Sequence, residues 1–196
     1  MVNHLDRPVL ENDVVRLEPL GPQHRDDLAA AVAVGELWRR WYVQIPPPET
    51  MADDIDHRLA RHAAGTLVPW AVVDRRTGRA VGTTSYLNLD PANRRLEVGS
   101  TWLGVEAQGT AINPAAKLLL LGRAFEVLDC LAVELRTHWH NRRSRAAIER
   151  LGAKQDGVLR QHRILENGTV RDTVVYSILD SEWPAVRCGL LERTGR

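Results

Sequence analysis

Gly104-Val105-Glu106-Ala107-Gln108-Gly109-Thr110-Ala111-Ile112-Asn113-Pro114 is the stretch at which this chain changes architecture. Before it, residues 68–74, 80–89 and 96–103 alternate or run apolar around Arg75-Arg76-Thr77-Gly78 and Asp90-Pro91-Ala92-Asn93, the pattern of an antiparallel meander. After it, Leu118, Leu119, Leu121, Ala124, Phe125 and Leu128 recur at helical spacing, and residues 132–137 are again apolar and β-prone. Asn113 is expected to cap this helix and Pro114 to open it. A helix joining two strands of one sheet implies that they run parallel. The expected fold is therefore α+β: a mixed, mostly antiparallel, twisted sheet of about seven strands flanked by helices on both faces.

The rest of the chain extends this plan. Residues 14–19 read as a first strand, Gly21-Pro22 punctuates it, and Leu28, Ala31 and Val32 give helical spacing over 23–34. Trp38, Trp41 and Tyr42 precede Pro46-Pro47-Pro48, which forbids regular structure, and Thr50 with Asp53 matches a capping box for a second helix. Beyond the 132–137 strand, Asn141 caps a helix ending at Gly152. Residues 158–165 and 170–179 form a hairpin around Glu166-Asn167-Gly168, and Ser181 is placed to cap a last helix through Leu191. With no internal repeat, linker or low-complexity tract, residues 1–196 read as a single domain.

Composition narrows the function classes. The chain of 196 residues is 44% hydrophobic and 26% charged with a formal net charge of +1, so no overall field recruits nucleic acid or an anionic membrane. Arg142, Arg143, Arg145 and Arg150 make one helix locally basic, which reads as a solvated face; nucleic-acid binding is the weakest functional reading. Cys130 and Cys188 lack metal-ligand spacing, no signal peptide is recognisable and no long apolar run occurs. The expectation is a soluble cytoplasmic protein with no membrane and no metal, monomeric or homodimeric.

Two segments carry chemistry. A turn from a strand into a helix presents unpaired backbone amides, and the helix amino end adds partial positive charge. Gly109 lets the backbone approach a ligand, so a pyrophosphate can be neutralised there without a lysine. Neither a Gly-Lys-Ser/Thr sequence nor a multi-glycine dinucleotide pattern is present, which points to a nucleotide other than NAD or a hydrolysed NTP. Asn141 and Ser144 emerge beside the carboxyl end of the 132–137 strand, where open α/β sheets bind ligands; an ordinary capped helix fits the same residues.

Taken together, Glu97 in a strand, Gly109-Thr110-Ala111 opening a helix, and Asn141, Ser144 and Leu151-Gly152-Ala153 after the next strand resemble the GNAT acyl-CoA-dependent N-acyltransferases. The similarity covers nearly the whole chain and is closest to the RimJ/RimL-like branch, which includes ribosomal-protein N-acetyltransferases; residues 168–179 and Glu182-Trp183-Pro184 share in it. The resemblance implies that the amides of Gln108, Gly109, Thr110, Ala111 and Ile112 hold the pyrophosphate of acetyl-CoA or another short-chain acyl-CoA. It also implies that Asn141 hydrogen-bonds the pantetheine arm and that Ser144 faces the thioester sulfur.

The sequence departs from the family pattern at two places. Glu106 stands where the family loop usually begins with Gln or Arg, leaving phosphate binding to backbone donors. Many relatives carry a tyrosine seven residues after the equivalent of Asn141 to protonate the departing thiolate, and here that position is Ile148. Ser144, four residues earlier on the same helix face, can donate a hydrogen bond to sulfur, and a thiolate of pKa ~8.5 needs little help to leave. Glu97, where relatives often carry a catalytic carboxylate, is the expected base; a surface carboxylate paired with Arg94 or Arg95 is the competing view. His140 is a reserve base, with packing the ordinary role of His138-Trp139-His140. Trp38, Trp41 and Tyr42 either wall an acceptor groove or fill the core. The expected reaction is direct attack by a primary amine, such as a protein N-terminal α-amine, a peptide or a small molecule, in a ternary complex. The alternative is a non-catalytic acyl-CoA-binding module.

Overall fold

A computed structural model describes residues 3–195. The strands are β1 Leu10–Glu11, β2 Val15–Pro19, β3 Leu67–Asp74, β4 Arg79–Asp90, β5 Arg95–Leu103, β6 Ala132–His138, β7 Lys154–Ile164 and β8 Val170–Leu179. The α-helices are α1 Arg25–Ala33, α2 Met51–Ala63, α3 Ile112–Gly122, α4 Arg142–Glu149 and α5 Trp183–Arg193. All eight strands form one sheet in the order β1-β2-β3-β4-β5-β6-β8-β7. The strand beyond the expected seven is β1, two residues pairing Leu10 with Leu17 and Glu11 with Arg16, too short to leave a periodic signal.

Every pairing is antiparallel except β5 with β6, as the helix between them requires. That pairing is brief: Arg95 faces Ala132, Leu96 faces Val133 and Glu97 faces Glu134. From Val98 and Leu135 onward the strands no longer pair with one another, so the sheet opens into a notch beside the carboxyl ends of both. On its other side β5 carries a bulge against β4. Thr83 pairs with Trp102 and Ser85 with Gly99, so Ser100 and Thr101 together oppose Thr84, and Ser100 takes a φ of 47°.

Side-chain alternation divides the sheet between two cores. Val15, Leu17, Trp70, Tyr86, Leu96, Val133, Leu135, Val174 and Tyr176 pack with α3 and α5 on one face. Leu20, Ala71, Val73, Ala80 and Trp102 pack with α1 and α2 on the other. Over β6, β8 and β7 that second face carries no helix, and the loop holding Trp41 and Tyr42 leans across it instead.

Several helix starts differ from expectation. α3 begins at Ile112, so Asn113 and Pro114 lie inside its first turn, where the missing proline N–H costs nothing. The turn before it is fastened by Thr110, whose hydroxyl donates to the Ala107 carbonyl and accepts from the Ile112 amide. Thr50 makes no side-chain cap with α2; its hydroxyl donates to the Pro47 carbonyl. Ser181 does not cap α5 either, because a short 3-10 turn over Asp180–Glu182 precedes it and Glu182 accepts the Leu179 amide. α3 continues into a π-helical turn over Arg123–Val127.

Candidate active site

The expected residues lie on the strands and turns that flank the notch. On its β5 wall Glu97 occupies the last paired position and is 9% exposed. Its Oε2 accepts a 2.7 Å hydrogen bond from Asn88 Nδ2 and lies 3.5 Å from Arg136 Nε. Burial pushes the Glu97 carboxyl above its ordinary range, while Arg136 and Asn88 pull the other way. The surface pairing considered from sequence is absent: Arg94 pairs with Asp129 and Arg95 with Glu134. Gly99 makes room for this carboxylate, since a Cβ there would stand 2.6 Å from Glu97 Oε1 and 2.9 Å from Leu87 Cδ1.

At the upper end of β5 lies the amide-rich turn. Gly109 has a φ of +80°, with open space where a side chain would sit. The Gln108 amide donates to Val105 O, its side chain donates to Leu103 O, and the Ile112 amide is taken by Thr110. This leaves the amides of Gly109, Thr110 and Ala111 without a protein partner among the described residues, three adjacent donors at the amino end of α3. A cavity of about 820 Å³ adjoins this turn from the β3–β4 side, lined by Arg75, Arg76, Arg79, Asp27 and Thr110 among others. Thr110 and Ala111 of the amide turn line this cavity while Glu97, Asn141 and Ser144 do not, so the cavity alone does not unite the candidate residues.

Opposite, Asn141 caps α4: its Oδ1 accepts the Ser144 amide at 3.1 Å, leaving Nδ2 as an unused donor among the described residues. The cap is therefore made by the Ser144 backbone, and no hydrogen bond engages the Ser144 hydroxyl among the described residues. Ile148 is 7% exposed and packs with Leu151 and Ala153 in the main core. A phenol lies close to α4 in Tyr176, whose hydroxyl donates to Glu149 Oε1 and accepts from Arg145 Nε.

Sequence reasoning missed one group altogether. Lys117, on α3, is 5% exposed and donates through Nζ to Thr101 Oγ1 at 3.2 Å, directly beneath the β5 bulge. Thr101 shares its hydroxyl with Thr84 Oγ1 at 2.8 Å. Burial lowers the lysine to about 8. From the other face Arg58 of α2, held by Asp54, reaches the Ser100 carbonyl at 3.5 Å. The bulge is thus gripped from both sides by cations.

The mouth over β6 is aromatic. Trp41 packs edge-on against His138 at 5.1 Å and against Tyr42 at 5.5 Å, and it lies 5.3 Å from His140. Asn167, at the β7–β8 turn, donates to the Trp41 carbonyl, tying the two loops together. Trp38 instead packs on the α1/α2 core. Burial holds His138 below its ordinary pKa, and its Nδ1 accepts the His140 amide.

A parted pair of parallel strands, a turn of free amides on one side, a capped helix on the other and a buried carboxylate between them define the class of acyl-CoA-dependent acyltransferases. The match to a family model confirms this at the level of sequence: residues 15–154 fit the acetyltransferase (GNAT) domain, and the chain belongs to that family of acetyl-CoA-dependent N-acetyltransferases. It is 38% identical over 106 residues to YdaF of Bacillus subtilis (strain 168), named as a candidate ribosomal N-acetyltransferase; the match covers 54% of this chain and 57% of that protein. Among solved structures, a GCN5-related N-acetyltransferase from Brucella melitensis superposes with a TM-score of 0.88 at 33% identity, covering 95% of this chain and 85% of that one. A candidate acetyltransferase from T. thermophilus superposes with a TM-score of 0.84 at 35% identity over 96% and 97% of the two chains. Among the described residues no helix is long and apolar enough to cross a membrane.

Proposed function

We propose that the protein transfers an acetyl group from acetyl-CoA to a primary amine, an N-terminal α-amine of a protein or peptide, by direct attack in a ternary complex with Glu97 as the base. The observation that carries this reading is the buried Glu97 carboxylate at the point where β5 and β6 part, with a proton affinity raised by burial. A carboxylate so placed accepts the proton that the ammonium form of the acceptor must lose, and an α-amine of pKa ~8 needs less help than a lysine of ~10.4. The amine nitrogen then bonds to the thioester carbonyl carbon, the carbon–sulfur bond breaks with its electron pair on sulfur, the surplus proton on nitrogen passes to solvent to leave the neutral amide, and the thiolate takes a proton from solvent.

Support for the donor side comes from the fit of the residues to CoA. The amides of Gly109, Thr110 and Ala111 suit the pyrophosphate, and Asn141 Nδ2 suits a pantetheine carbonyl. Gln108 and Ile112 shape the turn through their internal bonds. The Ser144 hydroxyl serves as a donor to sulfur. Acetyl-CoA supplies the activated thioester; every other role falls to these side chains and amides. The relationship to YdaF supports a ribosomal-protein amino terminus as acceptor, and the expected setting is the cytoplasm. Mass spectrometry of the purified protein for bound CoA, followed by transfer assays against α-amine peptides, lysine peptides and small amines, tests the reading.

A non-catalytic acyl-CoA module is the second reading, favoured by Ile148, whose core position leaves no acid where relatives carry tyrosine. Tight acetyl-CoA binding with no transfer to any amine would select it.

A further inference from the structure

The acceptor side of the notch has an electrostatic feature that a plain amine does not explain. Because Val133 and Leu135 of β6 and Val174, Tyr176 and Ile178 of β8 face the α3/α5 core, their neighbours point to the opposite, helix-free face. Those neighbours are Glu134, Arg136, Arg171 and Thr173, on the same face as Glu97. On β7, Arg163 pairs directly across from Arg171.

Two like charges directly opposite in an antiparallel ladder oppose pairing. Here the arrangement is harsher, because Arg171 is half-buried, with its Nε committed to Thr173 Oγ1. Burial and the nearby Arg163 and Arg136 hold its guanidinium below its ordinary pKa, with Glu97 acting in the opposite sense. His162, bonded to Thr173, feels the same three arginines. The nearby carboxylates do not offset them. Glu134 is shared by Arg95 and Arg136. Asp172 is held by Arg160. Neither Arg163 nor Arg171 has a carboxylate partner among the described residues. With Arg95, the groove floor holds four guanidiniums against Glu97 and Glu134.

Such a floor repels a bare ammonium, yet the amine must come to Glu97. The conflict is removed if the acceptor brings its own negative charge. We infer that the acceptor of this enzyme is an amine carrying a carboxylate close to the reacting nitrogen, its amine directed to Glu97 and its carboxylate to Arg163 and Arg171. The shared chemistry is found in a peptide whose first residues are acidic and in a free acidic amino acid. The inference rests on the transferase reading above. It adds two specificity-determining residues, on the β7–β8 hairpin, that are no part of acetyl-CoA binding. Planar guanidiniums suit a carboxylate better than lysine would, since each can donate two parallel hydrogen bonds.

The test uses the full chain, acetyl-CoA and peptides of one length that begin with serine or alanine and carry Asp or Glu, Asn or Gln, or Lys at positions two and three. Free aspartate and glutamate form a separate arm that identifies the source of the carboxylate. The expected result is a kcat/KM for acidic peptides or acidic amino acids at least about tenfold above their neutral counterparts, shrinking as salt is raised. In Arg171→Gln and Arg163→Gln the acidic-to-neutral ratio falls towards one, and in Arg171→Glu it inverts in favour of the lysine peptides. Because both members of each ratio are measured on one preparation, loss of folded protein cancels. Equal use of neutral and acidic acceptors by the unsubstituted protein, or a preference for the lysine series, overturns the inference while leaving an N-acetyltransferase. Absence of transfer to every amine, with acetyl-CoA still bound, overturns the transferase reading and this inference with it.

Discussion

Replacing Lys117 with methionine should make the protein more stable at neutral pH. The lysine is buried under the β5 bulge with one hydrogen bond among the described residues, to Thr101, and its pKa falls from an ordinary 10.5 to about 8. At 1.36 kcal/mol for each tenfold loss of proton affinity, keeping the ammonium buried costs the folded state about 3 kcal/mol below pH 8. Methionine retains the apolar stem and gives up the bond to Thr101, worth about 1 kcal/mol, while Thr101 keeps its contact with Thr84. The net gain is about 2 kcal/mol, or roughly 4–8 °C in melting temperature for a chain of this size. The sign depends on pH. Between the folded and unfolded pKa values the unfolded state binds more protons, so wild-type stability rises with pH there, and the advantage of Lys117→Met fades from pH 8 to about pH 10.5. Thermal or urea unfolding of both proteins across pH 7–10, followed by circular dichroism, measures it. A variant less stable at pH 7, or a difference that does not change with pH, would mean that the buried ammonium does not burden the fold.

At the notch, Glu97→Gln should lower kcat by about a hundredfold with acetyl-CoA affinity nearly unchanged, measured by transfer kinetics beside calorimetry. In the unsubstituted enzyme the acid limb of the kcat profile should fall above the ordinary glutamate range, since activity rises as a carboxyl of raised pKa loses its proton; a limb at or below that range removes Glu97 as base. Gly99→Ala should reduce turnover as strongly while the protein still binds acetyl-CoA, because the new Cβ displaces Glu97 Oε1, and a normal rate would show the carboxylate's position to be unimportant. Asn141→Ala should weaken acetyl-CoA binding about tenfold and lose about 1 kcal/mol of stability with the helix cap. For Ser144→Ala a several-fold fall in kcat with unchanged acetyl-CoA affinity is expected; equal kinetics would leave proton delivery wholly to solvent.

What the sequence revealed and what it hid divide along the range of the interactions. The Asn141 cap and the Gly168 turn, with a φ of +78°, are settled within a few residues of themselves, and both were readable. The parallel crossing of β5 and β6 was readable too, because a helix between strands permits little else. The caps at Thr50 and Ser181 were misread because short 3-10 turns precede both helices and redirect the hydroxyl or bypass it, while α3 starts early because Thr110 fastens its turn. Glu97 could be nominated, but its partners could not. Asn88 reaches it across a hairpin and Arg136 across the crossover, so its surroundings depend on register. Lys117, between alanine and leucine on an amphipathic helix, reads as a solvent position; only the bulge of a strand distant in sequence gives it a partner. Arg163 and Arg171 look like solvated strand residues until the hairpin sets them opposite one another.

The short β5–β6 pairing has a mechanical consequence. Among the described residues three residue pairs make up the strand pairing between the sheet's first five strands and its last three, backed by the Leu131 amide on the Arg94 carbonyl, the Arg95–Glu134 and Arg136–Glu97 ion pairs and the α3/α5 core. On the proposed site, a molecule bonded to both walls of the notch would act as a keystone: it would complete a span that the polypeptide leaves short, so that the bound cosubstrate would also brace the sheet.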